Sequence, residues 1–192
     1  MEGRALRGSM AETPRRFCRF RHPSDPSKGI FGLPEDGMCL SVFLLLHPPG
    51  RPAQILMGRP SLDAPWDRLG AMDADRLRQM EDRWVLPASH LLLFEDPQAG
   101  AERLQRELLE SAPVRLEGPQ VASEAYARPS APSKDPHWDI HFLFRGEWPD
   151  PHPPQATPWK ELAFVEVTRT PRREYGRGHG DILALAGLPV PD

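Results

Sequence analysis

The residues best equipped for chemistry are Glu95, Arg103, Arg106, Glu107 and Glu110, inside the stretch Trp84–Glu110. Among the last four, the pairs 103/106, 103/107, 106/110 and 107/110 stand three or four positions apart, so on a helix the members of each pair neighbour one another. Carboxylates that converge are oxygen donors for a hard cation. The same groups interleaved with arginines are, on the plain reading, a surface helix laced with ion pairs. A second constellation lies in His137-Trp-Asp-Ile-His-Phe-Leu-Phe144, where His137, Asp139 and His141 alternate with apolar residues. On a strand such alternation puts the three on one face, where they can meet a transition metal or a substrate; the plain reading is a partly exposed polar face. His179 and Asp181, in Gly178-His-Gly-Asp181, fit a turn and helix cap better than a catalytic pair.

The elements that must hold these residues can be read from periodicity. Asp96 is placed to cap a helix and Pro97 to open it. Ala101, Leu104 and Leu108 then form an apolar stripe, with Arg103, Arg106, Glu107 and Glu110 expected on the opposite side and Pro113 ending the helix. Before it, Met38–Leu46 and Gln54–Met57 read as strands joined by a Pro/Gly turn, Gly58-Arg59-Pro60 closes the second, and Asp73–Met80 forms a short helix. After it, Val114–Tyr126 and the His137–Phe144 alternation read as strands separated by a flexible loop, Arg128–Pro136. Glu161–Val167 supplies another strand, Thr170–Glu174 starts a helix, and Asp181 caps the last turns near Gly180–Ala186. Strands, helix, strands, helix is the order of an α/β (α+β) domain with a mixed β-sheet sandwiched between helices.

Composition narrows the classes. With 192 residues, 39% hydrophobic and 27% charged, the chain suits one soluble domain. A net charge of -3 argues against general nucleic-acid binding, and no apolar run is long enough to span a membrane. Cys18 and Cys39 show neither a disulfide framework nor zinc spacing, which fits a reduced, cytoplasmic setting. There is no Gly-x-Ser-x-Gly elbow, no P-loop and no Gly-x-Gly-x-x-Gly fingerprint. Residues 1–30 are poor in large apolar side chains and read as a mobile or surface segment preceding a domain over 31–192. Within that segment, Arg15–Arg21 is either a short edge strand or a basic contact for an anionic partner.

Trp84–Glu110 resembles the box of the Nudix hydrolase superfamily in a divergent, degenerate form. That signature is a Gly, five residues, a Glu, seven residues, then Arg-Glu-apolar-x-Glu-Glu-x-Gly-apolar. Leu86-Pro-Ala-Ser-His90 is similar to the family's Leu-Pro-Gly-Gly-His lead-in, and with Ser89 in the Gly position Glu95 falls on the first Glu. Reading on without gaps puts Arg103 on the motif Arg and Glu107 on a motif Glu, while Leu104, Leu108 and Glu110 replace two glutamates and the Gly. A second register, with three residues inserted, aligns Arg106-Glu107 instead and recovers Glu110 as a carboxylate. The resemblance covers about residues 38–188.

The resemblance implies a Nudix-like fold and divalent-metal-dependent hydrolysis, with Mg²⁺ or Mn²⁺ as cofactor, of a phosphoanhydride in a nucleoside diphosphate linked to another moiety. It implies Glu95, Glu107 and Glu110 as metal ligands and Glu107 with Arg103 or Arg106 in catalytic roles; His137, Asp139 and His141 are a candidate substrate face on their strand alternation alone. The partner is a small nucleotide-like molecule, with a homodimer as a further expectation. The alternative is a catalytically impaired Nudix-fold protein that binds a nucleotide, metabolite or protein partner.

Overall fold

The computed structural model describes residues 38–69, 74–92, 94–126, 137–176 and 178–192. The expectations for residues 1–30, for Arg15–Arg21 and for the Arg128–Pro136 loop lie outside these residues. β1 (Met38–His47), β2 (Gln54–Pro60), α1 (Trp66–Leu69), α2 (Ala74–Met80) and β3 (Ala88–His90) precede the central helix α3 (Pro97–Leu108). β4 (Glu117–Tyr126), β5 (His137–Glu147), β6 (Trp159–Glu166) and α4 (His179–Leu185) follow it. Between β6 and α4, where a helix was expected from Thr170, the chain makes only two short 3₁₀ turns, Val167–Arg169 and Arg172–Glu174. Pro171 removes a backbone donor there. Among the described residues no helix is long and apolar enough to cross a membrane.

A four-stranded mixed sheet has the order β3-β1-β5-β4, with β1 and β5 parallel and the other pairs antiparallel. β1 is central and covered on both faces, which is why its sequence is nearly unbroken apolar instead of alternating. Val42, Leu44 and Leu46, with Phe144 of β5, pack with Ala101, Leu104 and Leu108 of α3. Leu45 and Leu143 face the other way and pack with Ile182 and Leu183 of α4. This is the expected mixed sheet between helices. The side chains of Arg145 and Gln120 also donate to the carbonyls of Ala186 and Leu185, satisfying acceptors at the end of α4.

β1 and β2 follow one another across a turn at Gly50, yet β2 does not join β1 in a sheet. It pairs antiparallel with β6 as a separate two-stranded sheet. Gly58-Arg59-Pro60 extends β2 instead of ending it. Gly58 is required because a Cβ there would stand 2.1 Å from the Trp159 ring. That indole is a junction: it meets Trp66 edge-on at 4.9 Å and its Nε1 donates to the Leu108 carbonyl at 2.6 Å. One side chain thereby ties β6, β2 and α1 to the end of α3.

Candidate functional site

The connection into α3 is built as the sequence predicts. The Asp96 side chain accepts the Ala99 N–H at 3.0 Å and Pro97 opens the helix. Ahead of it, Glu95 turns back so that its Oε2 accepts the Leu92 N–H at 3.0 Å. The first turn of α3 presses on this loop at Gly100, where a Cβ would lie 2.7 Å from Leu91 and 3.2 Å from the Glu95 carboxylate.

Arg103 is the hub of the site. Its Nε donates to Glu95 Oε1 at 2.7 Å and its Nη2 to Glu95 Oε2 at 2.8 Å, a bidentate pair. Nη1 reaches Glu107 Oε2 at 3.3 Å and Nη2 also donates to the His90 carbonyl at 3.1 Å. The guanidinium therefore locks the lead-in, the loop and the helix together. Its hydrogen bonds hold the Glu95 carboxyl below the usual carboxylate range against the opposing effect of burial, and Glu95 in turn raises the Arg103 pKa. Arg103 is buried, so it does not lie on the exposed side with Arg106 as the periodicity implied. Burial is tolerated because its charge and donors are met.

The two possible registers are resolved by this geometry. Glu95, Arg103 and Glu107 join without any inserted residues, and Leu109 caps the helix, leaving Glu110 beyond its end at φ 48°. A left-handed residue after a helix is where glycine is favoured, and the ungapped register puts the motif Gly there. Leu104 and Leu108, where that register expects glutamates, are fully buried at 0% exposure among Trp66, Trp159 and the β1 side chains. Glu110 is turned away to accept the Thr157 N–H at 3.0 Å and bonds the Thr157 hydroxyl as well.

Glu107 and Glu110 line a shallow cleft of about 390 Å³, with Asp63, Ser61, Thr157 and Pro158. The donor set does not fit a divalent centre. Mg²⁺ needs several oxygens converging on one point, whereas both oxygens of Glu95 serve Arg103, Glu110 serves Thr157, and leucines occupy two motif positions. Among the described residues no three His, Cys, Asp or Glu side chains group to hold a metal. Glu95, Glu107 and Arg103 are brought together, but by one another. Arg106 is exposed and contributes only a distant charge to Glu95.

The second constellation is not the partly exposed face that alternation suggests. Asp139 and His141 are 7% and 4% exposed, on the α4 side of the sheet, while the His137 side chain lies outside the described residues. Burial lowers the His141 pKa despite Asp139 and Glu124 nearby, and its Nε2 stands 3.6 Å from Glu124. Residues missed in the sequence include Thr157, Trp159, Glu124 and the role of His179. The His179 Nδ1 accepts the Leu86 N–H at 3.0 Å, tying α4 to the lead-in, and burial pushes its pKa down to about 4. Asp181 does not cap α4; Gly178 occupies that position and Asp181 pairs with Arg172. Strand register or tertiary contact determines each of these, so no local pattern could reveal them.

No family model matches the chain, and no curated protein matches it. Solved structures do. A MutT Nudix hydrolase from Burkholderia pseudomallei is similar over 77% of this chain and 96% of that one, at 14% identity and a TM-score of 0.51. The Nudix domain of Shewanella oneidensis NrtR, complexed with ADP-ribose, is similar over 88% of this chain and 85% of that one, at 12% identity and a TM-score of 0.47. The Escherichia coli dihydroneopterin triphosphate pyrophosphohydrolase is similar over 67% and 80%, at 12% identity and a TM-score of 0.45. With the Burkholderia likeness added to the sheet order and the ungapped box, the chain is a divergent protein of the Nudix fold.

Proposed function

We propose that this Nudix-fold protein binds a nucleotide-like small molecule, with a nucleoside diphosphate linked to another group as the class, and that its box helix serves as scaffold and not as a metal-bearing catalyst. The observation carrying this reading is the complete burial of Leu104 and Leu108 at positions where the resemblance calls for carboxylates. The ligand class rests on the resemblance of the lead-in and box. Calorimetric titration with ADP-ribose and related nucleoside diphosphate conjugates, beside a turnover assay containing Mg²⁺ or Mn²⁺, tests it. Saturable binding without metal and without turnover is expected.

Hydrolysis at the cleft lined by Glu107 and Glu110 is a second reading, favoured by one observation. The Glu107 side chain remains 39% exposed and lines the cleft with Glu110 and Asp63. It predicts metal-dependent turnover that Glu107→Gln abolishes, an outcome that would displace the binding reading.

A further inference from the structure

The chain between β3 and α3 carries two exposed apolar side chains on a backbone held from several sides. The Leu91 N–H donates to the Leu40 carbonyl at 2.9 Å and the Glu95 N–H to the Leu92 carbonyl at 3.1 Å, while the Glu95 carboxylate accepts the Leu92 N–H at 3.0 Å. Arg103 clamps that carboxylate from the helix. Within this turn stands Phe94, at φ 64°. Such left-handed backbone suits glycine and is costly for a bulky side chain. Phe94 is nonetheless 79% exposed, and Leu92 58%.

Both features are unfavourable within the chain. Glycine at position 94 would relieve the backbone and take an aromatic ring out of water, so internal packing does not account for the phenylalanine. Strained backbone that its surroundings hold in place is a way of presenting a side chain to a ligand, and an aromatic ring fixed by two χ angles offers contact area at small entropic cost. Size limits what the ring can meet. A protein interface takes about 800 Å² from each partner, whereas one aromatic side chain supplies about 150–250 Å². Among the described residues the other exposed large apolar side chains stand elsewhere, Leu62 ahead of α1 and Val121 on β4, at the opposite edge of the sheet from β3. The turn therefore suits a small flat ring, not a protein surface.

We propose that the Phe94 ring is a stacking platform for the heterocyclic base of a nucleotide, with Arg106 supplying positive charge for its phosphates. The proposal rests on the nucleotide-binding reading above and gives the base a place. Arg106 is exposed on α3 and near enough for its charge to act on Glu95, the residue that follows Phe94. Both Glu95 oxygens serve Arg103, which leaves the Arg106 guanidinium available to a phosphate. Every base has a π face, so stacking tolerates different bases. The selectivity of such a site is for a flat ring joined to an anion, not for one base.

Calorimetric titration of the full chain with ADP-ribose and with ribose 5-phosphate, beside thermal unfolding without ligand, tests this. Phe94→Gly is expected to weaken ADP-ribose roughly tenfold or more and to spare ribose 5-phosphate, while its unfolding midpoint stays level or rises. Phe94→Tyr, which keeps a π face, should bind as the wild type does. Arg106→Gln should weaken both ligands. Unchanged ADP-ribose binding in Phe94→Gly, or a lowered midpoint in that variant, overturns the platform and leaves nucleotide binding standing. So does a dimer, seen by sedimentation velocity, that Phe94→Gly dissolves, because the turn would then cover a second copy of the chain. Absence of ADP-ribose binding by the wild type overturns both readings.

Discussion

Arg103 carries more of the site than any other residue, because three segments end on its guanidinium. Its partner Glu95 is largely buried with it, so Arg103→Ala strands a carboxylate away from water; the expected loss is about 3 kcal/mol, read as a lower urea midpoint. Arg103→Lys should recover little, since an ammonium cannot reproduce the bidentate fork. Glu95 gives this pair a pH signature. Its folded pKa lies below the ordinary value of 4.5, so the pair's contribution is complete above about that pH and is lost as pH falls through the lower folded value. In the Arg103→Ala variant that acid-side loss should shrink. His179 acts in a higher window. Folded, it stays neutral down to about 4, whereas unfolded it protonates near 6.5, so the unfolded chain takes up the extra proton and stability falls from pH 6.5 towards 4. Denaturant titrations of wild type and His179→Phe across that window should differ in slope; parallel curves would show that His179 does not set the pH dependence of stability.

At the scale of elements, α3 was largely legible in sequence: its cap, its first proline and its apolar stripe are all where periodicity puts them. What sequence left open was the register of the box, since three inserted residues are nearly a helical turn and present a similar face. The Glu95–Arg103 contact decides it, and that contact spans a loop whose turn no local rule encodes. The same registration predicts that rebuilding the motif will fail. Leu104→Glu places a carboxylate at a position with no exposure, against a packed core, and should cost several kcal/mol, about 3 or more, with no gain of metal affinity. Differential scanning fluorimetry with and without Mn²⁺ reads both halves of that expectation. A folded Leu104→Glu variant that Mn²⁺ stabilises would show that the position still opens towards a metal. Asp96→Ala, by contrast, should cost only about 1 kcal/mol, because it removes one cap from an otherwise well-packed helix.

Across the whole molecule, the strands and their two-sided burial were readable because long apolar runs leave few alternatives. Their pairing was not. The short turn after β1 suggests a neighbouring strand, yet β2 pairs with the far-off β6, from Gln54 with Glu166 to Pro60 with Trp159, and Trp159 seals that arrangement over Gly58. The polar face of β5 shows the same limit: alternation identified Asp139 and His141 as one face, but only the α4 layer determines that this face is buried. In the proposed reading the box is a scaffold organised by Arg103, with no divalent-metal centre assembled on α3. Mn²⁺ titration of the full chain, followed by electron paramagnetic resonance, tests it most directly. Free Mn²⁺ is expected to rise in step with added metal, identically for wild type and Glu107→Gln. A stoichiometric site in the wild type that Glu107→Gln removes would contradict it.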